Sequence, residues 1–272
     1  MEESLILSKF DNLVRSGIVQ YDDKQQIIEH VDGDLKFQFF LTSALIKKPT
    51  LTTAESQPDA DAQKPEKREG SDISTTGFEL GALDSHLVIV NKFCFARPHL
   101  MLLTFDGYKR QYEALDESDL NDTWQLLNSA KSDYVHLQVM PLPANSFAAF
   151  LHSPEEPETK VPFQWFYRRF ESHVTPAALF GTYKDLLEEA SKVAGDNTTD
   201  APPGAVCPHN VIFTKRRMIV LPRRQGAINK EAGVNSLGIL GVIAVATTKE
   251  IDNWVRLGLT ESLAELGVSK EI

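Results

Sequence analysis

The feature that most constrains this chain is the order of its periodicities. Short runs alternating with period two come in adjacent pairs, and no strand–helix–strand rhythm links them. Gln26 to His30 and Leu35 to Phe40 read as strands joined by a hairpin turn at Asp32-Gly33. His86 to Asn91 and Leu100 to Thr104 read as neighbours in an antiparallel sheet, and Asn210 to Thr214 pairs with Arg217 to Leu221 across a turn at Lys215-Arg216. Strands are also expected near Phe163 to Arg168 and along Leu237 to Ala246. Leu5, Leu7, Phe10, Leu13 and Val14 recur at helical spacing before Ser16-Gly17. Further helices are predicted over Asp116 to Leu127, capped by Asp116 or Ser118, over Pro176 to Ala194 and over Thr248 to Leu257. This pattern is that of an α+β fold, a curved antiparallel sheet with packed helices, rather than a parallel α/β sheet.

One stretch fits no element. From about Thr52 to Ser74 almost nothing apolar occurs, so burial cannot offset the entropy of ordering it, and a disordered surface loop (about 50–75) is expected. The chain is expected to divide into an N-terminal region, residues 1–190, and a C-terminal region, residues 200–272.

Composition narrows the partners. A net charge of −10 over 272 residues argues against a nucleic-acid surface, yet a few local cations suffice to hold the phosphates of a free nucleotide. Cys94 and Cys207 form no CxxC pair, so neither a disulfide framework nor a metal site is expected. The N-terminus is acidic and amphipathic, unlike a signal peptide, and no apolar run reaches membrane-spanning length. A cytoplasmic protein without membrane contact, working as a monomer, is the expectation.

The chemistry points to Val135-His-Leu-Gln-Val-Met140. Read as one strand, it places His136, Gln138 and Met140 on one face, and Pro141 and Pro143 end it. Taken alone, such a pair is more often structural than functional. The functional reading is a neutral imidazole attacking phosphorus to form a covalent nucleotidyl-histidine, with Gln138 hydrogen-bonding a phosphate oxygen. The cations Lys215, Arg216, Arg217, Arg223 and Arg224, and the pair Lys47-Lys48, suit phosphate binding but equally suit a solvated charge run. Phosphate-loop, dinucleotide-fold and serine-hydrolase motifs are absent.

VHLQVMPLP, taken with NKFCFARPHLMLLT, PHNVIFTKRRMIVLPRR, FQFFLTSALIKKP and GVNSLGILG in this order, resembles the ATP adenylyltransferase (diadenosine tetraphosphate phosphorylase) family. The resemblance implies a histidine-triad-like fold of the His-x-His-x-Gln branch, with His136 as nucleophile and Gln138 as its phosphate-contacting partner. It further implies that Lys48, Asn91, Lys92, Thr214 and Met218 lie around the nucleotide. Adenine nucleotides and inorganic phosphate are the implied partners. No tightly bound cofactor is implied, and a divalent cation such as Mg could accompany the nucleotide.

The chain departs from the family pattern just before the nucleophile. Relatives place a further strand and a Gly/Ser-rich loop, GxSxGASQPHKH, ahead of the catalytic strand; here Leu127 runs through NSAKSDY directly to Val135, and Tyr134 replaces the first histidine. The alternatives to a working enzyme are therefore a nucleotide-binding pseudoenzyme and an enzyme diverted to another small molecule.

Overall fold

The computed structural model describes residues 2–48, 75–107, 109, 112–129, 134–135, 140–141, 147–151, 160–170, 174–195 and 204–270. The polar stretch read as a loop falls outside them.

The first helix, α1 (Glu3–Arg15), buries Ile6 and Phe10 with Leu13 and Val14 beside them. Leu5 is 47% exposed, so the buried stripe is carried by Ile6 where the sequence reading had placed Leu5. After β1 (Gln20–Tyr21), β2 (Gln26–Asp32) and β3 (Leu35–Leu41) form the expected hairpin. Asp32 pairs with Leu35, so the two-residue turn is Gly33-Asp34, one position later than expected. The reason is local: Gly33 takes φ 59°, as tight hairpin turns require at a central residue.

Next come β4 (Glu79–Ala82), β5 (His86–Val90), β6 (Phe93–Cys94) and β7 (Leu100–Thr104). β5 lies between β4 and β7, both antiparallel to it, while β6 runs parallel to β1. Helix α2 (Glu117–Ser129) begins with reciprocal capping, since Asp119 N–H donates to Asp116 Oδ1 and Asp116 N–H donates to Asp119 Oδ2. Two short strands follow, β8 (Tyr134–Val135) and β9 (Met140–Pro141).

In the last part, β10 (Phe166–Arg169), α3 (Pro176–Ala194), β11 (His209–Phe213) and β12 (Arg217–Pro222) form a sheet of order β10-β12-β11 with α3 on one face. Then come β13 (Ala227–Asn229), β14 (Ala232–Gly233), β15 (Val242–Val245), α4 (Thr248–Leu257) and α5 (Leu259–Leu266). Only Val242–Val245 of the expected Leu237–Ala246 strand is extended; Gly238–Leu240 is a 3-10 turn closed by Gly241 at φ 81°. β15 then pairs parallel with β3, joining the two ends of the chain in one sheet.

The β10–β12–β11 sheet divides two cores by its period of two. Ile212, Ile219 and Leu221 face a core with Phe37, Phe39, Phe147, Phe163 and Trp254. Val211, Phe213, Met218 and Val220 face the other, with Phe10, Leu100, Leu126 and Tyr183. Both cores draw on residues from either side of the 190–200 boundary. The architecture is α+β and mostly antiparallel.

Candidate nucleotide site

His136 and Gln138 lie outside the described residues, but the residues flanking them are placed. β8 and β9 pair antiparallel with each other, Val135 opposite Met140 and Tyr134 opposite Pro141. This corrects the single strand read over Val135 to Met140. In one strand those two residues would stand about 17 Å apart at roughly 3.3 Å per residue. As cross-strand partners their Cα atoms are separated by about 4.5–5.5 Å. The backbone groups of β8 find partners in β9, and this pair forms a sheet of its own.

Lys48 and the Asn91-Lys92 turn are brought to one side of the fold. Ser43–Leu45 forms a 3-10 turn that packs against β1 and β6, and Lys48 follows it, exposed, with its N–H bonded to Leu45 O at 3.0 Å. Lys92 is also exposed, with Nζ 5.6 Å from the Phe93 ring centre. Asn91 organises the loop between β5 and β7. Its Oδ1 accepts from Phe93 N–H at 3.0 Å, its Nδ2 lies 3.3 Å from His99 Nε2, and its N–H donates to His99 O at 2.9 Å. The amide donates, so that ring nitrogen accepts. Asn91 is thus a positioning residue for the turn that presents Lys92.

Thr214 and Met218 sit elsewhere, at the β11–β12 turn. Thr214 is buried, its Oγ1 accepting from the N–H groups of Arg216 and Arg217 at 3.1 and 3.2 Å, an arrangement that closes the turn locally. It also reaches Leu151 O at 3.4 Å. Met218 is wholly buried in the core against α3. The cationic set divides in the same way. Arg217 is buried with its guanidinium 5.7 Å from the Phe150 ring centre. Arg223 bonds Asn210 Oδ1 at 2.7 Å and Gln225 O, and burial lowers it to about 10. Arg216 and Arg224 are exposed and Lys215 is half-buried.

Two histidine networks escaped the sequence reading. His86 on β5 bridges Asp119 and Asp122 of α2. Tyr183 on α3 accepts from Leu115 N–H at 3.0 Å and lies 3.1 Å from His209 Nε2, while His209 Nδ1 donates to Cys207 O at 2.7 Å. A carbonyl can only accept, so the proton sits on Nδ1, and the Tyr183 hydroxyl donates to Nε2 of a neutral ring. Both networks hold the start of α2, the helix that leads the chain towards His136. Asp119 and Asp122, three apart on one helix face, were the legible half of the first network; a partner 33 residues upstream of Asp119 was not. Cys94 and Cys207 are buried free thiols. Among the described residues, no group of three or more His, Cys, Asp or Glu is arranged to hold a metal ion, and no helix is long and apolar enough to cross a membrane.

Residues 159–269 match the family model of the ATP adenylyltransferase C-terminal domain. This part of the chain is similar to an ATP adenylyltransferase C-terminal domain. It comprises the β10–β12–β11 sheet, α3 and everything to the end of α5. The N-terminal segments that carried the resemblance lie outside that match but inside a likeness in fold. The crystal structure of yeast Ap4A phosphorylase Apa2 superimposes with a TM-score of 0.70 at 18% identity, covering 100% of this chain and 99% of that one. Its complex with Ap4A gives the same values, and its complex with AMP gives 0.68 at 16% identity, covering 100% and 98%. Comparison with curated proteins finds no match. The matched segment thus contains Thr214 and Met218, while Lys48, Asn91, Lys92 and His136 lie in the part of the chain before it.

Proposed function

We propose that this chain is a nucleotidyltransferase of the ATP adenylyltransferase type that acts on diadenosine tetraphosphate, with inorganic phosphate as second substrate. The match of the C-terminal domain carries the reading. The likeness in fold supports it, because those structures are of an Ap4A phosphorylase, one holding Ap4A and another AMP. In the first step a ring nitrogen of His136 attacks the α-phosphorus, a P–N bond forms, the P–O bond to the remaining phosphates breaks, and ATP leaves. In the second, a phosphate oxygen attacks the same phosphorus, the P–N bond breaks, and ADP leaves with His136 regenerated. Gln138 donates to a non-bridging oxygen, and the exposed Lys48 and Lys92 supply positive charge near the phosphates.

The pairing of Val135 with Met140 favours a second reading, a protein that holds the nucleotide without turning it over. Incubation with labelled dinucleotide and phosphate separates the two. The enzyme reading expects phosphate-dependent ATP and ADP; bound but unchanged dinucleotide supports the second. In the first case His136→Ala abolishes the acid-labile adduct while retaining binding, and equal turnover by that variant contradicts the role of His136. Gln138→Ala lowers the rate by about 10²–10³.

A further inference from the structure

His86 stands buried on β5 between two carboxylates of α2. Its Nδ1 is 2.8 Å from Asp122 Oδ2 and its Nε2 is 2.9 Å from Asp119 Oδ1. An ionised carboxylate can only accept, so both ring nitrogens must donate, and only the imidazolium carries two N–H groups. A neutral ring would turn a lone pair towards one of the carboxylates.

The surroundings make that loss costly. Asp122 is fully buried and receives, besides His86, only Ser85 N–H at 2.8 Å among the described residues. Asp119 has a second cation, since Lys109 Nζ lies 3.4 Å from its Oδ2 while also bonding Asp116. β7 places the neutral Thr104 opposite His86, and the turn between β4 and β5 carries Asp84, which is exposed. His86 is therefore the one cation that faces Asp122 among the described residues, and its deprotonation leaves a buried carboxylate without a counter-charge.

We propose that His86 is a proton-operated clamp on α2: protonated, it locks the helix to β5 through Asp119 and Asp122, and deprotonated, it releases the helix's first turns. Burial disfavours the charged ring, but the bonds to Asp119 and Asp122 outweigh it and hold its pKa above the ordinary histidine value. A raised folded-state pKa contributes stability that is complete below the ordinary value of 6.5 and is lost as pH rises through the folded value. The clamp thus holds in acid and loosens in alkali.

The test follows the ring and the helix together in the full chain. Proton NMR of the histidine ring signals should find His86 charged beyond the pH at which a free imidazole has titrated. Amide exchange, corrected for its intrinsic pH dependence, should lose about tenfold or more of its protection in α2 across that same titration, with α3 unchanged. His86→Gln, which cannot donate in two opposed directions, should abolish the dependence. Asp119→Asn keeps the Asp122 contact and should move the release to lower pH, which keeps the test open if His86→Gln does not fold. A ring already neutral at pH 6, or α2 protection that ignores the titration, overturns the clamp.

Discussion

Val135 and Met140 are cross-strand partners in an isolated antiparallel pair of two-residue strands. On the proposed function the relationship bears on catalysis, because His136 follows Val135 in the sequence. On that reading a nucleophile benefits from a ring held by a rigid sheet, and the sequence between Leu127 and Val135 is too short for the strand and Gly/Ser loop that the resembled family places there. Here Val135 and Met140 pair with each other, which satisfies backbone groups of these two short strands.

Inserting a relative's strand and Gly/Ser loop between Leu127 and Val135 should therefore raise both stability and phosphorolysis. The donors of such a loop stabilise the transferring phosphoryl group, and the loss of a single one typically costs about 10²–10³ in rate. Melting temperature and initial rate of the inserted variant beside the natural chain provide the comparison. A natural chain already turning over the dinucleotide on the order of 1–10³ s⁻¹ would show that other groups cradle the phosphate, with Lys131 the first to substitute.

Residues implied around the nucleotide should separate by burial. Met218→Ala removes a wholly buried side chain and should cost about 2–5 kcal/mol in urea unfolding. Lys48→Ala and Lys92→Ala act on exposed side chains and should leave stability within about 0.5 kcal/mol while weakening nucleotide affinity. Lysine variants that bind as tightly as the natural chain would remove both residues from the site.

The Tyr183–His209 link should contribute to the acid side of stability. Tyr183→Phe strips Leu115 N–H and His209 Nε2 of a shared partner and should cost about 1–3 kcal/mol. Burial pushes His209 below its ordinary value of 6.5. Its contribution is then present above 6.5 and is lost as pH falls through the lowered folded value, opposite in sign to His86. Thermal melts between pH 8 and pH 5 should show a smaller acid loss for His209→Gln than for the natural chain. An equal loss would mean that His209 is not buried neutral.

The legible parts of the fold were those with strong local grammar. Pro176–Ala194 matched its expected bounds because Thr175 caps the helix, Pro176 occupies its first turn and Gly195 ends it. Thr248–Leu257 did so between the Thr247 cap and Gly258. β4 was missed because Glu-Leu-Gly-Ala is short and irregularly paired. Helix α5 was missed although Leu259, Leu263 and Leu266 recur at helical spacing, and part of what fixes it is remote: Asp32 Oδ2 accepts from Thr260 N–H at 2.8 Å, 228 residues away. The same limit hid the histidine networks. His86 and His209 are assigned by partners far along the chain, whereas His136 was singled out by the resemblance of its short local motif, with others in order, to a known family.

The central claim, that this fold holds adenine nucleotides, meets its most direct test in calorimetric titration of the purified 272-residue chain with diadenosine tetraphosphate, the ligand bound in one of the similar structures. The account predicts saturable heat, together with a rise in melting temperature that grows with ligand concentration. Absence of both at millimolar ligand would contradict it.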